Sequence, residues 1–168
     1  MHVLVCAASK QGATTQIAER IGGVLEEAGH EVTVTPPELV TTLEGFDAVI
    51  LGSAVRIGHW LEPARRFARD HAAELSSRPV WLFSSGPIGD PPKPEAEPLD
   101  VVELMRLTGA RGHVVFAGKL ERQDLGLAER AMMAAVRAPE GDFRPWTEID
   151  LWARVIVREM EAAQLVGV

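Results

Sequence analysis

The sequence predicts an α/β fold, a doubly wound sheet of five parallel strands in the order 2-1-3-4-5 with helices on both faces. Three observations carry this. Short apolar runs rich in β-branched residues recur along the chain, at Val3–Cys6, Phe46–Gly52, Pro79–Phe83 and His113–Gly118. Their near-continuous hydrophobicity is that of strands covered on both sides. Stretches of helical period separate them, as parallel strands joined by crossovers require. A fifth run, Glu31–Thr35, alternates apolar and polar residues and meets Pro36-Pro37, so it belongs at an edge. Right-handed crossovers then give the order, with the switch point between strands 1 and 3.

Each element has its own signal. After Val3–Cys6 the chain breaks into small polar residues around Gly12, and from Thr15 the apolar residues Ile17, Ile21, Val24 and Leu25 fall on one helical stripe. This helix is expected over Ala13–Ala28, with Gly29 ending it. Phe46–Gly52 leads into a polar turn, Ser53–Trp60, and then into a helix with Pro63 in its first turn and a stripe of Leu61, Ala64, Phe67, Ala68, His71 and Leu75. Pro79–Phe83 leads to the turn Ser84–Ile88. Gly86–Pro98, rich in proline and glycine, reads as a stiff surface excursion. A short helix over Leu99–Leu107 precedes Gly109. Two helices close the chain, Asp124–Arg137 and Glu148–Gln164, the latter with a capping-box-like start at Thr147 and Asp150. In the former, Leu125, Ala128, Met132 and Val136 make an apolar stripe expected to pack on the sheet, with a membrane or partner contact as the alternative.

Composition narrows the function classes. The 168 residues are expected to form a single domain, and 46% apolar with 24% charged residues is a globular balance. A net charge of −7 with only 5% aromatics argues against nucleic-acid binding, which needs a cationic stripe, and against a polybasic membrane anchor. The apolar runs are too short for a membrane span, and the start of the chain has no signal-peptide pattern. With Cys6 the single cysteine, a reducing, cytoplasmic setting is the expectation. Cys6 itself reads as a core residue. His2, His30, His71 and His113 show no metal-ligand spacing.

The functional signal lies in the turns after strands 1, 3 and 4, which the topology brings to one crevice. Around Gly12 a strand, a polar turn and a helix N-terminus make an anion site. The first helical amides point outward, Gly12 allows close approach, and Ser9, Thr14 and Thr15 add hydroxyls. Only one glycine stands where a dinucleotide fingerprint needs three, and no Gly-Lys-Ser/Thr follows as in a P-loop. The acidic residues of a phosphoacceptor site are also missing from the end of strand 1. A hydroxyl-lined turn for a monophosphate is what remains.

The segments Ser9–Glu19 (SKQGATTQIAE), Gly52–Trp60 (GSAVRIGHW), Ala117–Leu120 (AGKL) and Gly141–Trp146 (GDFRPW) resemble the flavodoxin-like, menaquinone-dependent protoporphyrinogen oxidase family and its actinobacterial flavodoxin-domain relatives. They run from one end of the chain to the other. The resemblance implies a bound FMN, with its phosphate on Ser9, Lys10, Gln11, Gly12, Ala13 and Thr14. The isoalloxazine ring would lie between the loop Ser53, Ala54, Val55, Arg56, Ile57, Gly58, His59 and Trp60 and the loop Ser84, Ser85, Gly86, Pro87 and Ile88. It further implies oxidation of protoporphyrinogen IX with transfer of electrons to a quinone. Arg56 near the ring would favour the negatively charged reduced flavin, against a plain surface ion pair. His59 is a candidate proton handler, against a solvated or capping histidine. Trp60 either flanks the ring or packs in the core. The proline-rich loop and the acid-balanced segment after Lys119 depart from what the oxidases lead one to expect. An electron carrier docking on a redox protein, and a flavin-free interaction module, therefore stand as alternatives.

Overall fold

The structure, a computed structural model, describes residues 1–88 and 96–166. The strands β1 (His2–Ala8), β2 (Glu31–Thr35), β3 (Ala48–Arg56), β5 (Val80–Ser85) and β6 (His113–Phe116) form one parallel sheet in the order β2-β1-β3-β5-β6. Counted over these five strands alone, this is the predicted 2-1-3-4-5, with the alternating strand at the edge. The register sets Val3 opposite Ala48 and Ala8 opposite Ser53, then Ala54 opposite Ser85. The carboxyl ends of β1 and β5 therefore lie beside Ser53 and Ala54, and β3 runs on past both to Arg56.

Strand alternation divides the core in two. Val3, Val5 and Ala7 of β1 face α1 (Ala13–Glu27) and the last helix, Trp146–Val166. Leu4, Cys6 and Ala8 face α2 (Glu62–Asp70), α3 (Ala72–Ser76) and α4 (Val101–Thr108). On the first side Phe83, Phe116 and Trp152 meet edge to face or tilted, with centroids 5.7–6.2 Å apart. Phe83 can lie there because Gly52 on the neighbouring strand has no side chain; a Cβ would fall 2.2 Å from the ring. Burial in the Cys6 strand pushes the thiol pKa up, so it stays protonated and inert.

Four expectations need correction. Ser53–Trp60 is not an irregular turn: β3 continues to Arg56, and His59–Trp60 folds back as β4 with Val55 opposite Trp60. Two residues, Ile57 and Gly58, join them, both at positive φ (50° and 75°), as a two-residue hairpin turn of matching twist requires. The helix after Trp60 breaks at His71 into α2 and α3. The final helix starts at Trp146, behind Pro145, so Thr147 lies inside it. Asp150 does not cap it but receives both Arg20 Nε and Nη2 at 2.6 Å, tying this helix to α1. The helix expected over 124–137 is α5 (Leu127–Ala135) and does not pack on the sheet, for it buries no residue. A short antiparallel ribbon, β7 (Lys119–Leu120) with β8 (Gly141–Asp142), pinches off the segment between them beyond the end of β6. The last helix is therefore α6. The excursion expected over 86–98 falls in part on residues 89–95, outside the described residues.

Candidate functional site

At the end of β1 the chain turns through Gly12 (φ 86°), whose N–H donates to Ser9 Oγ at 3.0 Å. A Cβ on Gly12 would meet nothing within 4 Å, so the dihedral angle and not crowding is what asks for glycine. The first α1 bond runs from Gln16 N–H to Gly12 O, which leaves the amides of Ala13, Thr14 and Thr15 without partners inside the helix. Ser9, Lys10, Gln11, Ala13 and Thr14 line a cavity of about 220 Å³ at this end of the sheet.

The second wall is the β3–β4 hairpin, through Ala54, Val55, Arg56 and Ile57. Positive φ is costly for a β-branched residue, so Ile57 is strained, and it stands 80% exposed at the hairpin tip. The third wall is the end of β5, through Ser85, Gly86 and Ile88. Gly86 passes close to the hairpin: a Cβ there would be 3.2 Å from Val55 Cβ. Gly58 and Pro87 line a smaller neighbouring cavity of about 160 Å³.

Other sequence candidates build the walls from behind. Ser53 is buried; its Oγ donates to Ala54 O (2.7 Å) and accepts from Leu61 N–H (2.9 Å), which holds the base of the hairpin. Trp60 is 1% exposed and lies in the core, where its Nε1–H donates to Ser84 Oγ. His59 points away from the cavity lining to Asp100, with Nδ1 3.1 Å from a carboxylate oxygen, and the same carboxylate accepts Trp60 N–H at 2.8 Å. Thr15 is half-buried in the first turn of α1 and does not line the cavity.

Sequence reasoning missed the fourth wall. Gly118, Lys119, Leu120, Leu125, Glu129, Met132 and Met133 close the cavity from the segment that the ribbon pinches off. Arg144, in the GDFRPW motif, anchors that ribbon. Its side chain is 5% exposed; it binds Asp142 twice (2.7 and 2.8 Å), Gln16 Oε1 (2.6 Å) and Ala13 O (3.2 Å). The motif was visible, but a contact to the start of α1, more than a hundred residues away, has no local signal.

Charge gathers at one point on the rim. Arg56 Nη2 lies 2.7 Å from Glu129 Oε1, and the Lys10 ammonium pairs with the same oxygen. The hydrogen bond from Lys10, then that from Gly126 N–H, hold the Glu129 carboxyl below the usual carboxylate range, with Arg56 adding to the effect. Arg56 thus lines the cavity and makes the surface ion pair that was the plainer of its two readings.

A parallel sheet with three strand ends and a helix N-terminus around one cavity defines a doubly wound α/β protein with a cavity at its switch point. Residues 4–145 match the Flavodoxin domain family, and the chain belongs to it. A protoporphyrinogen IX dehydrogenase [quinone] of Escherichia coli (strain K12) is 28% identical over 86 residues, 50% of this chain and 48% of that protein. The match therefore spans about half the length of the curated relative. Among solved structures, a flavodoxin from the domain Archaea is similar with a TM-score of 0.64 at 19% identity, covering 96% of this chain and 99% of that one. The rubredoxin oxygen:oxidoreductase of Desulfovibrio gigas gives 0.67 at 13% identity, over 96% of this chain and 36% of that one. These likenesses bear out the fold. Among the described residues no helix is long and apolar enough to cross a membrane.

Proposed function

We propose that this chain binds FMN and acts as an oxidoreductase on protoporphyrinogen IX or a related reduced organic substrate, passing electrons to a quinone. The observation that carries the reading is the two-ended cavity. One end offers the free α1 amides beside Ser9, Lys10 and Thr14; the other is lined by Val55, Ile57, Gly86 and Ile88. A phosphate suits the first and an apolar planar ring the second. The donor set therefore fits FMN. The Escherichia coli relative, named for dehydrogenation of protoporphyrinogen IX, supports the substrate class.

FMN, when bound, supplies the electron-transfer chemistry. The chain supplies position and field. The α1 amides and hydroxyls would hold the phosphate, the β3–β4 hairpin and the end of β5 would flank the ring, and Arg56 would set a positive potential where reduction adds negative charge. Met132 and Met133 offer soft apolar contact on the fourth wall.

A second reading, an electron carrier that docks on a redox protein, is favoured by the exposed hairpin tip. Ile57 (80%) and Leu99 (73%) stand on either side of Gly58, whose carbonyl accepts Leu99 N–H at 2.8 Å. Anaerobic turnover of protoporphyrinogen IX with a menaquinone analogue separates the two. Porphyrin formed in step with quinone reduction supports the oxidoreductase; a flavin-loaded protein with no turnover leaves the carrier.

A further inference from the structure

Helix α5 closes one side of the cavity without burying a residue. Among the described residues, every hydrogen bond and ion pair from α5 to the loops of the parallel sheet ends on the Glu129 carboxylate. That carboxylate takes Lys10 from the anion-binding turn and Arg56 from the hairpin on a single oxygen, while its other oxygen accepts Gly126 N–H at 3.2 Å. Lys10 and Arg56 also line the cavity, as does Lys119, which pairs with Glu121.

We propose that Glu129 is a latch: its carboxylate competes with the terminal phosphate of a phosphate monoester for Lys10, so that the bound phosphate takes Lys10 from it and loosens α5. This rests on the FMN reading for the identity of that monoester. The energetics favour exchange. Both cations are roughly half exposed, and ion pairs in such settings are weak. A phosphate brings up to two negative charges and three acceptor oxygens, against one charge and one shared oxygen. Glu129 is thereby a specificity-determining residue. An unphosphorylated ligand has nothing to offer Lys10 in exchange, so it must bind with the latch shut.

Glu129→Gln tests this and keeps the cap, since a glutamine oxygen still accepts Gly126 N–H. Removing one negative charge beside the phosphate is expected to tighten FMN by roughly tenfold and to leave riboflavin unchanged. Equal changes for both flavins, or weaker FMN binding, would overturn the proposal. A second arm needs no flavin: hydrogen exchange across 127–135 with and without inorganic phosphate, at constant ionic strength. Phosphate is expected to speed exchange in the wild type, and Glu129→Gln to exchange fast in either buffer. Exchange indifferent to both phosphate and the substitution sinks the latch. Failure of both proteins to bind FMN would refute the flavin reading while the phosphate arm still decides the latch.

Discussion

The indole nitrogen of Trp60 donates to the hydroxyl of Ser84 at 2.7 Å inside the core, and this one bond fixes the sense of a chain of hydrogen bonds behind the cavity. Indole can only donate, so Ser84 Oγ accepts from it and gives its own proton to His113 Nε2, 2.8 Å away. His113 Nδ1–H then donates to Glu97 at 3.2 Å. The hairpin strand β4, the end of β5 and the start of β6 are locked together directly beneath Ser85 and Gly86.

Replacing Ser84 by alanine leaves two buried partners, the Trp60 N–H and His113 Nε2, without their bond. The expected loss is about 1–3 kcal/mol of unfolding free energy, read from urea denaturation. A change within about 0.5 kcal/mol, the range of an ordinary surface substitution, would show that the network is not coupled to the fold.

The same chain makes stability depend on pH. Burial disfavours the charged imidazolium and lowers the His113 pKa, against the opposing hydrogen bond and charge of Glu97, and a protonated Nε2 could no longer accept from Ser84. The unfolded chain then binds a proton first, so this stability is complete above the ordinary histidine pKa of about 6.5 and is lost as pH falls through the lower folded value. His30, also lowered by burial, acts in the same direction. Glu129, Asp142 and Asp150 have lowered pKa values too, and their loss comes in the more acidic carboxylate range. Urea midpoints measured from pH 8 down to pH 5 are expected to fall in the wild type and to fall less in His113→Gln.

Two glycines separate backbone strain from crowding. Gly12→Ala meets no neighbour but forces a left-handed residue, at a cost of about 1–2 kcal/mol, and is expected to weaken FMN binding. Gly52→Ala drives a Cβ into the Phe83 ring, and overpacking of that kind costs about 1–3 kcal/mol or more. Thermal melts and flavin titrations of both variants are expected to show Gly52→Ala as the less stable. Gly12→Ala is expected to be impaired in binding even where it is fully folded.

Arg56→Ala removes a positive charge from the cavity wall. The midpoint potential of bound FMN is expected to fall, because the reduced, more negative ring loses a stabilising neighbour. Spectroelectrochemical titration of wild type and variant reads this, and equal potentials would mean that Arg56 serves Glu129 alone.

Most of the fold was legible because hydrophobic pattern and burial agree. Three of the four continuous runs became the central strands; the fourth, at His113, took one edge and the alternating Glu31–Thr35 the other. The Gly12 turn was legible for the same reason, since a strand, a lone glycine and a helical stripe leave few local solutions. What escaped depends on contacts distant in sequence. The stripe Leu125, Ala128, Met132 and Val136 has the period of a sheet-packing helix, yet the two-residue strands of the β7–β8 ribbon, too short to signal themselves, lift it off the sheet. Trp60 and His59 sit in a segment that resembles a flavin loop, but hairpin pairing turns alternate residues to opposite sides. Trp60 goes to Ser84 and His59 to Asp100. Glu129 carried no motif, and only the folded arrangement puts it between Lys10 and Arg56.

The central claim is that three strand-end loops hold FMN by its phosphate and its ring. Titration of FMN into the flavin-free protein, followed by flavin fluorescence and visible absorption, tests it most directly. One flavin per chain, with riboflavin binding more weakly because it lacks the phosphate, is the predicted result. Unchanged flavin fluorescence and absorption at saturating protein would contradict the account.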